Sequence, residues 1–354
     1  MRCRQKPGLL FVFVCLMVGG VYLHAYGPMR LVSVVGSTYK YAGSRLYAHT
    51  VTKASCNTTC RWLHEQQRRK QHVSSTCNTY RNLTGAGREL SYTLSSDLLE
   101  TMNHFLVLDS HKLIYCYIPK VGCTNWKRIF LVLSGAMKDT NRASQFETHV
   151  STAKHIRTLA GYSFEEATER LTNYTKFMFV RHPFERLLSG YRDKFLMDYP
   201  SSSIFRRNYG QKISTYGGPG HRPLLRPDGT LNVSFAQFVR YVGDADNAFR
   251  GDDPTEHWNE MHRMCHPCAV RYDFFGNFST LHEDADSLLH LEGLDGEVSY
   301  PKSTNPTNSS DEAHMARYFA SLPPANIKAL LTRYAIDFDL FGYTLPSSVE
   351  KVLN

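Results

Sequence analysis

The sequence predicts an α/β fold with a central, mostly parallel sheet flanked by helices. Three observations lead there. Tyr115-Cys116-Tyr117-Ile118-Pro119-Lys120-Val121-Gly122-Cys123-Thr124-Asn125-Trp126-Lys127 reads as a buried strand, a tight basic turn and an amphipathic helix. Phe177-Met178-Phe179-Val180-Arg181-His182-Pro183-Phe184-Glu185-Arg186-Leu187-Leu188-Ser189 repeats that order. The strand from Leu113 to Ile118 is apolar on both faces, as a strand inside a parallel sheet must be. Strand, turn and helix in this order form the arrangement in which phosphates rest on a helix N-terminus. Two such units predict a nucleotide phosphorylated at both ends.

Each element has a local reason. Pro119 stops the first strand and opens the turn. Trp126, Ile129, Phe130 and Leu133 recur at i, i+3, i+4 and i+7, and Gly135 stands where a C-terminal cap is expected. Ser163 and Glu166 form a capping-box pattern that opens a helix to about Asn173. Lys176 to Arg181 is the second buried strand, and Pro183 suits the first helical turn after it. Phe184, Leu187, Leu188, Tyr191 and Phe195 form the buried stripe of the following helix. Further helices are expected at Phe235–Tyr241, Ala313–Ala320 and Pro324–Tyr334. Residues 201–232, rich in Gly, Pro, Arg and Ser, read as a long surface loop.

The N-terminus speaks to location. Arg2, Arg4 and Lys6 precede an apolar run from Leu9 to Leu23 with few basic residues after it. That asymmetry predicts a cytoplasmic tail (1–6), a transmembrane signal anchor (7–26) and a luminal remainder. A cleaved signal peptide is the alternative, but Ala25 lacks a small-residue partner at the right spacing. Residues 27–89, polar and weakly periodic, read as an extended or partly disordered luminal stem. The catalytic domain is expected over 90–354. Sequons begin at Asn57, Asn82, Asn173, Asn232, Asn277 and Asn308, and six of them agree with a luminal, glycosylated chain. Asn173 and Asn277 lie close to expected strands, where access is poor. Beyond the anchor stand Cys56, Cys60, Cys77, Cys116, Cys123, Cys265 and Cys268. In an oxidising lumen some should pair, and the odd count leaves one over. Cys265-His266-Pro267-Cys268 has no second ligand pair, so a disulfide or structural turn is favoured over zinc, and no metal is expected.

The net charge of +9 favours an anionic partner. No zinc finger, basic repeat or RNA-binding aromatic motif is present, which sets nucleic acid aside. The first turn offers Lys120, Gly122 and Thr124, with backbone N–H groups facing an anion. It lacks the first Gly and the Gly-Lys pair of a Walker A loop. Trp126 reads equally as core filler or purine contact. The second unit offers Arg181, whose planar fork suits phosphate, and Ser189, which taken alone is as easily an ordinary helix surface residue.

These residues carry a resemblance. Both motifs, with Tyr174-Thr175-Lys176-Phe177, Tyr191-Arg192-Asp193-Lys194-Phe195, Glu256-His257-Trp258, Cys265-His266-Pro267-Cys268, Tyr272-Asp273-Phe274-Phe275-Gly276, Asp337-Phe338 and Phe341-Gly342-Tyr343, resemble the Golgi carbohydrate sulfotransferases. The similar group contains the chondroitin, dermatan and N-acetylgalactosamine 4-O-sulfotransferases and the HNK-1 sulfotransferase. The resemblance spans roughly 113–343. It implies a P-loop-like sulfotransferase fold, a Golgi type II membrane enzyme, and 3′-phosphoadenosine 5′-phosphosulfate as donor. It implies that Lys120, Val121, Gly122, Cys123, Thr124, Asn125 and Trp126 form the 5′-phosphosulfate loop, with Arg181 and Ser189 at the 3′-phosphate. Lys120 is the candidate for stabilising the leaving oxygen. His149 is the candidate base, with His155 and His257 behind it. Arg192, Lys194 and His257 are candidate acceptor contacts. Arg206, Arg207, Lys212, Arg222 and Arg226 read as a track for an anionic glycan, or as a plain solvated loop. The expected acceptor is O-4 of N-acetylgalactosamine in chondroitin or dermatan, with N-glycan N-acetylgalactosamine and the glucuronate 3-OH as rivals. A non-catalytic glycan-binding protein is the reading from another class. A glycosyltransferase is disfavoured, because Asp244-Ala245-Asp246 lies outside any clear strand end. One position departs from the group: His182 stands where an acidic residue is more frequent.

Overall fold

The computed structural model describes residues 29–34, 37–42, 50–51, 58–82, 90–141, 143–218, 222–245, 256–302 and 309–353. The expected anchor (7–26) lies outside them, as do Asn57 and Asn308. Among the described residues no helix is long and apolar enough to cross a membrane. Three short strands, β1 (Met29–Val34), β2 (Ser37–Ala42) and β3 (Thr50–Val51), pair in the order β2-β1-β3.

The main unit begins earlier than expected. Helix α1 (Thr58–Asn82) lies in the segment read as extended stem. It is followed by α2 (Ser96–Glu100), β4 (Phe105–Leu108), β5 (Leu113–Cys116), α3 (Cys123–Leu133), α4 (Gln145–His155), α5 (Phe164–Asn173), β6 (Thr175–Val180) and α6 (Pro183–Tyr191). Then come α7 (Pro200–Ser214), α8 (Phe235–Gly243), α9 (Met261–Cys265), β7 (Phe274–Asn277), α10 (Leu281–Glu292), α11 (Glu312–Phe319), α12 (Pro324–Phe341) and α13 (Ser347–Leu353).

Strands β4-β5-β6-β7 form a mixed sheet in that order, with β4 antiparallel and the other pairings parallel. Every residue of β5 and β6 is buried, because helices cover both faces. Cys116 pairs with Met178 at the carboxyl ends of β5 and β6. The two turns therefore leave the sheet side by side. At Gly276 a methyl group would occupy the position of the Phe179 ring, so close strand–strand packing requires glycine there. Trp126, Tyr115, Phe177 and Phe179 pack as one aromatic group above the sheet. A second cluster joins α6, α8, α11 and α12 around Phe184, Phe238, Phe319 and Tyr334.

Helix α1 corrects the stem reading for residues 58–82. Gln66 donates to Phe275 O (3.1 Å) and accepts from Phe275 N–H (2.9 Å), so a side-chain amide completes the open edge of β7. Trp62 Nε1 donates to Asp284 Oδ1 (2.7 Å) and Arg69 Nη1 to Asp284 Oδ2 (2.9 Å). Disulfide Cys77–Cys268 ties the helix to the Cys-His-Pro-Cys turn, and Cys116–Cys265 ties β5 to α9. Both cysteines of that turn are therefore in disulfides rather than half of a metal site. Cys60 is also disulfide-bonded, and Cys123 is free and buried.

Residues 201–232 are not a uniform loop. α7 takes up their first half, opened by Pro200 at its first turn. Arg206 is buried, donating to Asp228, Thr230 and Met197 O. Arg226 pairs with Asp198 at 2.7 Å. Both are structural clamps, which removes them from the proposed basic track, while Arg207, Lys212 and Arg222 remain exposed. Asn82, Asn173 and Asn232 are exposed, and Asn277 at the end of β7 is half-buried. Asn173 is thus more accessible than its nearness to β6 suggested.

Candidate active site

The capping box of Ser163 and Glu166 starts α5 as expected, and β6 then delivers Arg181 to the carboxyl edge of the sheet. There the first turn and the second unit enclose a cavity of about 990 Å³. Its walls include Lys120, Gly122, Cys123, Thr124, Asn125, Arg181, Ser189 and His149, together with Asp193, His257, Tyr300 and Ser309–Asp311. A volume of this order suits a ligand larger than a single sugar.

The first turn is strained. Lys120 has φ 72° and Gly122 φ 88°. A left-handed non-glycine residue costs about 1–2 kcal/mol, so neighbours must hold Lys120 in place. Arg181 Nη1 donates to Lys120 O (3.0 Å), and Arg186 Nε donates to Pro119 O (3.0 Å). The second unit thus holds the backbone of the first. Gly122 O accepts from the Tyr300 hydroxyl (3.0 Å), and a methyl group at 122 would collide with that oxygen. No side chain caps α3 at Gly122, leaving its first turn turned toward the cavity as an anion-facing helix end.

Arg181 is buried, with Nη2 donating to Ser309 Oγ (2.9 Å) and Ser310 Oγ (2.8 Å) and its guanidinium 3.8 Å over the Phe278 ring. Glu185 Oε2 lies 3.3 Å away. Burial lowers its pKa to about 10, so it stays a cation at neutral pH. Ser189 is buried on the same wall. Lys120 Nζ and Lys194 Nζ both approach Asp193 Oδ2, at 3.0 and 3.1 Å. Burial pushes the Lys120 ammonium toward losing its proton, and Asp193 opposes this.

His149 projects from α4, whose N-terminus is fixed by a capping box of Ser144 and Glu147. Its Nδ1 is 3.2 Å from Lys127 Nζ. Burial, then Lys127 and Lys194, lower its pKa to about 3, so the ring is neutral at pH 7. His257 also lines the cavity. Burial and the cations Lys194, Lys120 and Arg186 push its pKa well down. Its Nδ1 makes no hydrogen bond, and Glu256 Oε1 is 3.9 Å away.

Not every expected residue is in the cavity. Trp126 is 1% exposed and the Val121 side chain 0%; both belong to the core. Of the two readings of Trp126, core filler and purine contact, the packing favours the first, because its ring lies between Phe177, Phe179 and Tyr300. Lys194 is buried behind Asp193, and Arg192 lies toward Tyr318 (5.8 Å to the ring) rather than in the cavity wall. Neither is placed to touch an acceptor directly. His155 is exposed at the end of α4, away from the cavity. His182 is outside the cavity wall too. Its Nδ1 accepts from Phe184 N–H (3.2 Å) and its Nε2 donates to Thr344 O (2.9 Å), so a neutral imidazole caps α6 and pins the C-terminal segment. Sequence reasoning missed Arg186, Asp193, Ser309, Ser310 and Tyr300, which reach their partners in the site across 67 or more residues. Among the described residues no cluster of His, Cys, Asp and Glu could hold a metal ion.

The paired turns at one sheet edge define a group-transfer enzyme for a phosphorylated nucleotide. The sulfotransferase family model matches residues 103–344, a span that includes every residue of the cavity wall. The chain belongs to that family, among the carbohydrate sulfotransferases. It is similar to carbohydrate sulfotransferase 11 of Rattus norvegicus, with 37% identity over 288 residues, covering 80% of this chain and 77% of the relative. It is 34% identical over 286 residues to carbohydrate sulfotransferase 14 of Danio rerio, covering 81% and 73%. With carbohydrate sulfotransferase 10 of Xenopus laevis the identity is 30% over 288 residues, covering 80% and 77%. No solved structure matches the chain at a significant level.

Proposed function

We propose that the protein transfers a sulfuryl group from 3′-phosphoadenosine 5′-phosphosulfate to a glycan hydroxyl, namely O-4 of N-acetylgalactosamine in chondroitin or dermatan. It would work from the Golgi lumen, anchored by its N-terminal apolar run. The observation that carries the donor reading is the meeting of Lys120 and Arg181 in one cavity, locked together by the Arg181–Lys120 O hydrogen bond. The residues fit a ligand with anions at two ends. The α3 N-terminus and Lys120 would face the phosphosulfate, and Arg181 with Ser189 the 3′-phosphate.

In this scheme the acceptor oxygen forms a bond to sulfur while the bond from sulfur to the phosphate oxygen breaks. The hydroxyl proton goes to a base, and the electron pair leaves with 3′-phosphoadenosine 5′-phosphate. Catalysis is then mostly alignment and charge stabilisation. Lys120 stabilises the leaving oxygen. His149, neutral at pH 7, takes the proton. For that its accepting nitrogen must be Nε2, with Lys127 displaced from its place 3.2 Å from Nδ1. His257, with its unpaired Nδ1 in the same cavity, is the second candidate base. His149→Ala should abolish transfer and leave 3′-phosphoadenosine 5′-phosphate binding nearly intact. If His257→Ala does this instead, the two roles exchange.

The acceptor is tested by transfer of labelled sulfate to desulfated chondroitin, dermatan, N-acetylgalactosamine-capped N-glycans and glucuronyl-capped glycans, with disaccharide analysis. Label at O-4 of N-acetylgalactosamine in the polysaccharides is the expected result. Label only on the glucuronate would overturn the acceptor, and no label on any glycan would overturn the substrate class.

A further inference from the structure

We propose that Asp193 is a positioning residue for the transfer step, holding the Lys120 ammonium on the cavity wall and keeping it charged among other cations. This rests on Lys120 being the group that stabilises the leaving oxygen. The contact itself is specific. A single oxygen, Oδ2, lies 3.0 Å from Lys120 Nζ and 3.1 Å from Lys194 Nζ. Asp193 and Lys194 are 5% and 3% exposed, so solvent screens these pairs little.

The backbone is shaped to permit it. After α6 the chain enters a π-helical turn over Arg192–Leu196. In a regular helix consecutive side chains point about 100° apart. The wider turn lets neighbouring Asp193 and Lys194 both point inward. Such turns occur rarely and concentrate at functional sites.

The charge pattern is the third observation. Lys120 comes from the first turn, Arg181 from the end of β6, Arg186 from α6 and Lys194 from the π turn. His149 of α4 and His257 before α9 complete the ring, with Glu256 and Asp311 as the other carboxylates of the wall and Glu185 beside Arg181. A carboxylate in a cavity built for an anion opposes donor binding. Its presence is explained if it keeps Lys120 protonated and aimed. Desolvation and repulsion from Lys194 and Arg181 push the Lys120 proton off, and Asp193 is the counter-charge in direct contact.

The test uses the full chain in detergent. Asp193→Asn should lower kcat about 100-fold, the order seen when one preorganised charge-stabilising group is lost. Affinity for 3′-phosphoadenosine 5′-phosphate should stay the same or tighten. The alkaline limb of kcat should move down by about one pH unit or more, because Lys120 has lost its opposite charge. Asp193→Glu should return the limb toward its original position. An unchanged kcat, or a lowered kcat with an unmoved limb, overturns the proposal. Lys194→Met provides a second measurement of opposite sign, needed if Asp193→Asn does not fold. It removes repulsion on Lys120, so the limb must move up, and an unmoved limb again overturns the proposal. Lys120→Met separates the two levels. If that variant keeps its kcat, the role of Lys120 itself is wrong, and the failure is not of Asp193 alone.

Discussion

Gly122 offers the sharpest test of how the first turn is built. Gly122→Ala perturbs it in two separable ways. The residue sits at φ 88°, where an L side chain costs about 1–2 kcal/mol. The new methyl group also collides with the Tyr300 hydroxyl and comes within 3.1 Å of Leu281. Tyr300 must swing away, which breaks its 3.0 Å bond to Gly122 O and costs about 1 kcal/mol more. The expected destabilisation is about 2–3 kcal/mol, and calorimetry should show Tm lower by roughly 4–6 °C. The KM for the donor should rise, because the α3 N-terminus no longer presents its first turn in register. Tyr300→Phe removes the oxygen and the collision but not the φ strain. In that background Gly122→Ala should cost about 1 kcal/mol less, a coupling measurable by a double-mutant cycle. An unchanged Tm, or strict additivity of the two substitutions, would refute the reasoning.

Three further outcomes follow from the same contacts. A chain beginning at residue 90 loses α1, leaving buried Asp284 without Arg69 and the β7 edge without Gln66; breaking a buried pair costs about 3–5 kcal/mol, so urea unfolding should show a large drop in midpoint or no cooperative fold, whereas a chain beginning at residue 57 should unfold cooperatively. Arg186→Met removes donors to Pro119 O (3.0 Å), Asn259 O (2.6 Å) and Glu256 O (2.7 Å), and by leaving three carbonyls unpaired should destabilise by about 3–5 kcal/mol while weakening donor binding in a titration; native-like binding would contradict the clamp. In the free enzyme His149 has its pKa lowered to about 3, so kcat/KM for the donor should show no acid limb at the ordinary histidine value of about 6.5. Lys127→Met relieves a repulsion and should move the acid limb of His149 up from about 3; a wild-type limb near 6.5 would contradict the neutral, buried imidazole.

Much of the site was legible because each turn is a local device. Lys120, Gly122 and Thr124 lie within five residues, and Arg181 directly follows an apolar strand. What could not be read locally is the means of holding them. Arg181 reaches Ser309 across 128 residues and Arg186 reaches Pro119 across 67. Nothing in the neighbourhood of either arginine separates a hydrogen bond to a backbone carbonyl from one to a phosphate. Trp126 is a related case. Its place in an apolar stripe with Ile129, Phe130 and Leu133 left core packing and a purine contact equally open, and the aromatic group over the sheet places the ring in the core.

The stem helix shows why hydrophobic periodicity fails where a polar side chain does the work of a strand. Trp62, Gln66, Arg69, Val73 and Cys77 recur at helical spacing along α1 and face the domain. Two of the five are polar, so a pattern scored on apolar residues registers only noise. Yet the polar pair makes the decisive contacts. Gln66 meets both the N–H and the C=O of Phe275, sharing the carbonyl with Arg69 Nη1 (2.7 Å), and an apolar side chain in its place would leave the N–H unpaired at a buried edge. Arg69 neutralises Asp284, whose Oδ2 also accepts from Asn277 N–H (2.8 Å) at the end of β7. β7 in turn packs beside β6, the strand that carries Arg181. A segment that composition assigns to a spacer therefore supports the sheet edge next to Arg181. Loss of that support should appear first as weaker donor binding and only then as unfolding.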